Sequence, residues 1–164
     1  MFYVTLAGVT DKQGSPPRRR RRLPHPIYSQ PGAYFVTLVT HRRATLFGRI
    51  TDGRTELSRF GLILSNTVRE LPKYYPTVEL DEHVIMPDHF HAILWIRAVE
   101  DGIKSADLME IIRGLKSISA RRINRERCSE GRPVWQRSFH DRVIRSEKML
   151  DEVRRYIRNN PLAG

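Results

Sequence analysis

The spacing of apolar residues predicts a strand followed by a helix in the first half of the chain. Residues 33–40, AYFVTLVT, are rich in β-branched and aromatic side chains and follow the Pro31-Gly32 turn signal, which predicts a first strand. Between Phe60 and Tyr75, apolar residues recur three and four positions apart, which is the spacing of an amphipathic helix. Pro72 marks the position at which regular helix should fail, because proline has no backbone N–H to donate.

A second β-α unit follows. Residues 78–86 and 89–96 have the composition of two strands, and Pro87-Asp88 is the turn that joins them. Asp107 and Glu110 have the spacing of a helix capping box. The helix that they would open has its apolar face at Leu108, Ile111, Ile112, Leu115 and Ile118.

The end of the chain adds a strand and a last helix. Alternation across residues 134–144 predicts a fourth strand, and a helix should begin after Ser146 as N-cap and stop at Pro161. The order is therefore β-α-β-β-α-β with an extra C-terminal helix. This order predicts an α+β fold with a ferredoxin-like core, an antiparallel sheet and a C-terminal addition.

The first thirty residues differ in composition from the rest. Residues 18–22 are five consecutive arginines, and prolines stand on both sides of them. Such a segment cannot bury a core, so residues 1–30 are predicted to form a basic, partly disordered arm and residues 31–164 a single domain. A solvated tail with no role is the alternative interpretation of this arm.

The charge balance indicates a polyanionic partner. The 164 residues include 29 Lys and Arg against 18 Asp and Glu, a formal net charge of +11. Of the 29 basic residues 24 are arginine, whose planar guanidinium binds phosphate through two parallel hydrogen bonds, and this favours nucleic acid over a membrane surface. The residues expected to contact phosphate are Arg18, Arg19, Arg20, Arg21, Arg22, Arg42, Arg43, Arg121 and Arg122.

Cysteine content and hydropathy bear on the compartment. Cys128 is the single cysteine and cannot form an internal disulfide, which suits a reducing compartment. No apolar run approaches the roughly 20 residues of a membrane span, and the N-terminal residues lack the charge order of a secretory signal. A cytoplasmic, nucleoid-associated protein with no membrane contact is expected.

The most informative motif is a pair of histidines at positions 89 and 91. Residues two apart on a strand point to the same face, so His89 and His91 should project their imidazoles side by side. Two neutral imidazoles on one rigid strand can chelate a divalent metal. The spacing also occurs in many strands by chance, and a structural pair is the default interpretation when no other signal is present.

The last helix supplies the other candidate groups. Tyr156 lies at the edge of the apolar stripe, and Asn160 follows one turn later on the same face. A tyrosine in such a position more often packs than reacts. If the helix lies against the strand of His89 and His91, however, the site would combine one phenolic nucleophile with three ligands for Mg²⁺ or Mn²⁺ and would suit phosphoryl transfer.

The motifs together resemble a known family, the single-tyrosine transposases of the HUH superfamily, and especially the REP-associated tyrosine transposases of bacteria. The likeness covers roughly residues 21–161 and departs from the usual pattern at Asp88, where asparagine commonly stands. The chain also ends soon after the last motif, which leaves open whether a C-terminal tail is missing. The segments that carry the likeness are 31–37 (PGAYFVT), 40–43 (THRR), 84–91 (VIMPDHFH), 115–117 (LKS), 135–139 (WQRSF) and 156–161 (YIRNNP).

The resemblance implies specific roles for these residues. Tyr156 matches the nucleophile, His89 and His91 match the metal ligands, and Asn160 is expected as a third ligand to Mg²⁺ or Mn²⁺. The implied activity is cleavage and rejoining of single-stranded or hairpin DNA of the REP type through a 5′-phosphotyrosine intermediate. The implied working unit is a monomer in which the tyrosine acts in cis, with a dimer as the alternative.

Two other functions remain open from the residues alone. A relative that has lost catalysis would hold hairpin DNA or RNA through charge and stacking without cutting it. A metal-dependent hydrolase would use His89 and His91 with a bound water, which would leave Tyr156 without covalent work.

Overall fold

The computed structural model describes residues 30–98 and 106–162, so the basic arm predicted for residues 1–30 lies almost wholly outside the described residues. Short 3₁₀ turns at His41–Arg43 and Asn160–Leu162 accompany the regular elements. In chain order these elements are β1 (Gly32–Val39), β2 (Gly48–Thr51), β3 (Arg54–Leu57), α1 (Arg59–Arg69), α2 (Leu71–Tyr74), β4 (Val78–Ile85), β5 (His89–Ile96), α3 (Leu108–Glu126), β6 (His140–Ile144) and α4 (Glu147–Asn159).

Four of the strands form one antiparallel sheet in the order β4-β5-β1-β6. The first and third strands of the β-α-β-β-α-β core are therefore central, and the second and fourth are at the edges, which is the ferredoxin-like arrangement. The predicted α+β fold class is confirmed. The hairpin β2–β3 forms a separate two-stranded sheet.

Side chains alternate between the two faces of the large sheet. On one face Leu38, Phe90 and Leu94 are fully buried in the main core, which also contains the apolar stripes of α1 and α3. On the opposite face Ala33 and Ile93 form a smaller cluster with α4, whose buried residues are Leu150, Val153 and Ile157. Among the elements described, helix α4 is therefore the one that packs on this face of the sheet.

Helix capping follows the sequence signals. The Asp107 carboxylate accepts a hydrogen bond from the backbone N–H of Glu110 at 2.7 Å, and the Ser146 hydroxyl accepts one from that of Met149 at 3.3 Å. Pro72 does not end a long helix: α1 ends at Arg69, and Pro72 lies in the first turn of α2, where no intrahelical donor is required. No helix of the residues described is long and apolar enough to cross a membrane.

The hairpin β2–β3 was not predicted, although the sequence carries its signal. Its turn is Asp52-Gly53, and both residues have positive φ, 50° and 69°. Asp-Gly at this position is typical of a two-residue hairpin turn. The flanking strands have only four residues each, too few to give a clear alternation.

The predicted strand over residues 134–144 is wrong in its first half, because β6 comprises only His140–Ile144. Before β6, Trp135 forms an isolated bridge with Thr40 and is buried. The Lys116 ammonium then donates hydrogen bonds to three consecutive carbonyl oxygens, those of residues 136, 137 and 138, at 2.8, 3.2 and 3.0 Å. Carbonyls that converge on one cation cannot alternate as a strand requires.

Candidate active site

The two histidines of the His-x-His motif lie side by side at the start of β5. The rings of His89 and His91 have centroids 4.6 Å apart, and the residues oppose Val39 and Thr37 on β1. They share the face of the sheet that α4 covers. The strand alternation therefore brings the two imidazoles together as expected.

One ring nitrogen of each histidine is already occupied. The Nδ1 of His89 lies 2.5 Å from a carboxylate oxygen of Asp88, and the Nδ1 of His91 lies 2.8 Å from the Thr37 hydroxyl. A carboxylate only accepts, so the Nδ1 of His89 carries a hydrogen, and in the neutral tautomer with that hydrogen the Nε2 has the free lone pair. A hydrogen bond to the far nitrogen is the usual way in which proteins orient a metal-binding histidine.

Electrostatics favour neutral imidazole at this site. Burial, together with the charge that a protonated His89 would carry, lowers the pKa of His91 to about 3. Burial alone would raise the pKa of the Asp88 carboxyl, but hydrogen bonds and charge from His89 and Arg43 hold it below the usual value. Neutral imidazole beside an ionised carboxylate is the protonation state that a metal ligand requires.

Tyr156 reaches the histidines from α4. Its hydroxyl lies 3.5 Å from the Nε2 of His91, a contact slightly longer than a full hydrogen bond. Phe35 packs against both groups, stacked on the His91 ring at 5.4 Å and edge-on to the Tyr156 ring at 6.0 Å. The tyrosine is 37% exposed, so its hydroxyl is not sealed in the core and a substrate can approach it.

Ion pairs to the edge strand β4 fix the position of α4. A register shift between Leu80 and His83 interrupts the pairing of β4 with β5. Next to this bulge, Asp81 accepts two hydrogen bonds from Arg154 and one from the Trp95 indole, and Glu82 accepts two from Arg158. Sequence reasoning assigned no role to these charges, because the bulge that exposes both acids to α4 has no clear signal in the sequence.

Asn160 lies at the C-terminal end of α4, one turn beyond Tyr156, and is half-buried. Within residues 30–98 and 106–162, no side-chain hydrogen bond joins it to His89 or His91. The described residues contain no group of three or more His, Cys, Asp and Glu side chains that could hold a metal. A metal at this site would therefore need the two histidines together with an amide oxygen or oxygens from water and substrate.

The arginines predicted to bind phosphate have different environments. Arg43 pairs with Asp88 at 3.1 Å, whereas Arg42 beside it is exposed with no ion pair among the residues described. Arg122 pairs with Glu70 at 2.7 Å and also donates to the hydroxyl of Thr67, on the layer of α1 and α3. Arg121 is exposed on α3, and Arg18–Arg22 lie outside the described residues.

Comparison with protein families gives a match over nearly the whole domain. Residues 32–160 match the family model described as "Transposase IS200 like". A protein of Haemophilus influenzae, described only as uncharacterized, is 33% identical over an alignment of 163 positions. The alignment covers 88% of each chain.

Two solved structures share the fold. One, described as the structure of a REP-associated tyrosine transposase bound to a REP hairpin, aligns with 88% of this chain and 73% of its own, with a TM-score of 0.63 and 22% identity. The other, a putative transposase from Deinococcus radiodurans, aligns with 80% of this chain and 92% of its own, with a TM-score of 0.50 and 21% identity. At these identities the likeness concerns the fold.

Proposed function

Because this chain belongs to the IS200-like transposase family, we propose that it cleaves and rejoins single-stranded DNA through a covalent bond between DNA and Tyr156. The observation that carries the proposal is the 3.5 Å contact between the Tyr156 hydroxyl and the Nε2 of His91. The Tyr156 phenol is partly exposed beside the pair of oriented imidazoles, and its ring contacts those of Phe35 and His91 without being buried in the core. This contact supports the proposal because it brings the phenol oxygen beside the imidazole nitrogens that are proposed to hold a metal.

The chemical step is a transesterification. The Tyr156 oxygen loses its proton and attacks a DNA phosphorus, the bond to the 3′ oxygen breaks, and that oxygen leaves and takes up a proton as a free 3′-hydroxyl. The phosphate stays attached to the 5′ end of the next nucleotide as a phosphotyrosine. A 3′-hydroxyl from another strand reverses the step and joins a new partner, so the reaction needs no nucleotide cofactor.

The donor set fits a divalent metal such as Mg²⁺ or Mn²⁺. His89 and His91 each have the Nδ1 engaged, by Asp88 and by Thr37, and their Nε2 atoms are the proposed ligands. Asn160 is the proposed third ligand. When bound, the metal would orient the phosphate and offset the charge that develops on its non-bridging oxygens.

The proposed substrate is single-stranded DNA with a hairpin. A nucleophile on a helix that packs against a sheet has poor access to a phosphate inside a duplex, whereas an unpaired strand can bring a phosphate to the exposed Tyr156 side chain. The net charge of +11 favours a polyanion. A fold relative is described as bound to a REP hairpin, and we extend that substrate class to this chain as part of the proposal.

The proposed working unit is one chain that uses its own tyrosine. The stripe of α4 packs on the sheet of the same chain, where Leu150, Val153 and Ile157 meet Ala33 and Ile93. Tyr156 therefore meets the histidines of its own chain. A dimer that exchanges this helix would have to open these apolar contacts and the ion pair between Arg154 and Asp81 within each chain before forming them again between chains.

The experiment is an adduct assay with hairpin oligonucleotides. Protein is incubated with labelled single-stranded hairpin DNA and Mn²⁺ or Mg²⁺, and the products are resolved on a denaturing gel. We expect a protein–DNA adduct from the parent and none from Tyr156→Phe, with hairpin binding and the melting temperature nearly unchanged. The matched control Tyr74→Phe removes an exposed hydroxyl elsewhere and should keep the adduct.

The alternative functions give different products in the same assay. A metal-dependent hydrolase would release free products without an adduct, and it would retain activity in Tyr156→Phe. A binding protein derived from a transposase would retain the hairpin and yield neither adduct nor product. Either outcome would contradict the proposed chemistry.

A further inference from the structure

A second concave surface lies at the end of the sheet where β1 ends and β5 begins. Its volume is about 690 Å³, within the range of ligand-binding cavities. Its walls come from the 3₁₀ turn after β1, the start of α1, and the segment that follows α3. We call this surface the basic groove and define it by His41, Arg42, Leu46, Phe60, Arg127 and Arg132.

The lining of the basic groove carries arginine side chains and no carboxylate. None of its lining residues is acidic, and within the described parts of the chain neither Arg42 nor Arg132 forms an ion pair. Arg127 is fixed by neutral partners, the side-chain oxygen of Asn124 and the carbonyl of Arg132, both at 2.9 Å. Burial and the charge of Arg132 lower the pKa of Arg127, as expected for cations that share a site without an anion.

The floor of the basic groove is apolar. Leu46, Phe60, Pro133 and Val134 contribute to it, and Phe60 is half-buried with its ring packed against the core. The guanidinium of Arg59 lies 4.9 Å from the centroid of the Phe60 ring and helps to hold it in place. An aromatic floor with a rim of guanidinium groups suits a ligand that combines a flat ring with a phosphate.

The wall that bears Arg42 is connected to the candidate active site. Arg42 and Arg43 both have left-handed backbone conformations, with φ of 55° and 54°, which are strained for non-glycine residues. The Thr40 hydroxyl lies 2.8 Å from the carbonyl of Ala44 and 2.9 Å from that of Asp88. Asp88 in turn holds Arg43 and His89, so one hydrogen-bonded unit links the groove to the histidines.

From these observations we infer that the basic groove binds one unpaired nucleotide of the DNA strand that the Tyr156 site cleaves, with the base against Phe60 and Leu46 and a phosphate between Arg42 and Arg132. The inference rests on the proposed function for the identity of the polymer and adds a second contact point on it. Such a site would set which phosphate reaches Tyr156, because the DNA strand would then be held at two points, the basic groove and the Tyr156 site.

Contact between Phe60 and a base is tested by changing Phe60 in the protein, the base in the oligonucleotide, and both together. Binding of fluorescein-labelled oligothymidylate is measured by anisotropy in EDTA, on the full chain carrying Tyr156→Phe, so that no cleavage occurs. We expect Phe60→Leu to weaken binding roughly ten-fold, since a base on an aromatic ring contributes substantially to affinity. An abasic version of the oligonucleotide should bind the parent less tightly and be insensitive to Phe60→Leu. The control Tyr74→Leu removes an exposed ring elsewhere and should have no effect.

Phosphate contact is tested by salt dependence. Arg132→Gln removes a charge but keeps the carbonyl that Asn124 and Arg127 bind. The slope of log affinity against log salt should become shallower by about 0.7 for one lost contact on a single strand. The control Arg69→Gln removes one charge at the far end of α1 and should leave the slope unchanged.

Several outcomes would overturn the inference. These are a Phe60→Leu effect that persists with the abasic probe, an Arg132→Gln slope equal to that of Arg69→Gln, and no measurable binding of oligothymidylate to the parent. Because these measurements need neither metal nor cleavage, they stay informative if the adduct assay fails. If the parent forms the adduct but Phe60→Leu and Arg132→Gln bind the oligonucleotide normally, the proposed function is supported and nucleotide binding in the basic groove is contradicted.

Discussion

The two faces of the large sheet differ in what covers them. Two long helices, α1 and α3, cover one face, and the inward positions of the central strands from Tyr34 to Leu38 and from Phe90 to Ile96 are hydrophobic and buried. That set comprises Tyr34, Val36, Leu38, Phe90, Ala92, Leu94 and Ile96. Among the described elements one helix, α4, covers the other face, and its buried apolar residues meet Ala33 and Ile93 toward one end of the sheet, with Phe35, Val84, Trp95 and Ile144 packed beside them. At the opposite end this face carries Thr37, His89 and His91.

The difference teaches where a small domain leaves room for chemistry. One helix is too narrow to cover four strands, so part of the second face has no apolar partner within residues 30–98 and 106–162. Polar side chains can occupy that part without breaking the core, and the rigid strands still fix their positions. Tyr156 lies where the buried stripe of α4 ends, and it is therefore close to the histidines and still accessible.

The largest effect is expected from a cavity in the fully covered face. Phe90 is completely buried between sheet and helices, directly between the two histidines in sequence. Phe90→Ala should lower the free energy of unfolding by about 3–5 kcal/mol, because it removes a large ring and leaves a cavity. Denaturant unfolding followed by circular dichroism measures this loss. A loss below about 1 kcal/mol would contradict the contrast between the faces.

A smaller effect, on metal binding and not on folding, is expected at the half-covered face. Thr37→Val removes the hydroxyl that bonds the Nδ1 of His91 but keeps the shape of the side chain. Loss of such an outer hydrogen bond weakens metal affinity by roughly 10–100-fold. Titration calorimetry with Mn²⁺ measures it, and Thr55→Val serves as the control, because its hydroxyl makes only a weak contact with the sulfur of Met86. Equal Mn²⁺ affinity in both variants would show that Thr37 does not orient a ligand.

The same contrast explains what could be predicted from the sequence. Periodicity predicted the helices and the strand on which His89 and His91 share a face, because local spacing alone determines which side chains point the same way. It did not predict Thr37 as the partner of His91, since these residues are 54 positions apart and their register depends on how β1 and β5 pair. The β2–β3 hairpin has a local signal, the Asp52-Gly53 dipeptide of its turn, but periodicity did not predict it. The course of residues 136–138 depends on Lys116 and had no local signal.

A moderate effect with a defined pH dependence is expected at Asp81. Burial would raise the pKa of this carboxyl, but hydrogen bonds from Arg154 and Trp95 and the backbone N–H of Glu82 hold it below the usual value. Asp81→Asn should lower the free energy of unfolding by about 1–2 kcal/mol at neutral pH. Because the folded pKa is the lower one, this contribution is complete above the unfolded value of about 4 and is lost as pH falls through the folded value.

The measurement for Asp81 is the free energy of unfolding of parent and variant across the acid range. The difference between the two proteins should be constant near neutral pH and shrink as the pH falls below about 4. A difference that grows on acidification would contradict the assigned direction of the pKa shift. The Tyr156 adduct should also form more slowly in Asp81→Asn, since Arg154 then holds α4 less firmly.

The smallest effect is expected at the second ion pair between β4 and α4. Arg158 donates two hydrogen bonds to Glu82, but the arginine side chain is 58% exposed, against 33% for Arg154. Exposed pairs contribute about 0.2–1 kcal/mol and are screened by salt, because water and ions compete for both charges. A double-mutant cycle of Glu82→Gln with Arg158→Gln should give a coupling energy in this range that largely vanishes at about 1 M salt. The parallel cycle of Asp81→Asn with Arg154→Gln should keep more of its coupling, since Asp81 is shielded by Trp95. The opposite result would be a larger coupling energy in high salt for the Glu82–Arg158 pair than for the Asp81–Arg154 pair. In that case the exposed ion pair would position α4, and the contrast between the covered and open parts of this face would be wrong.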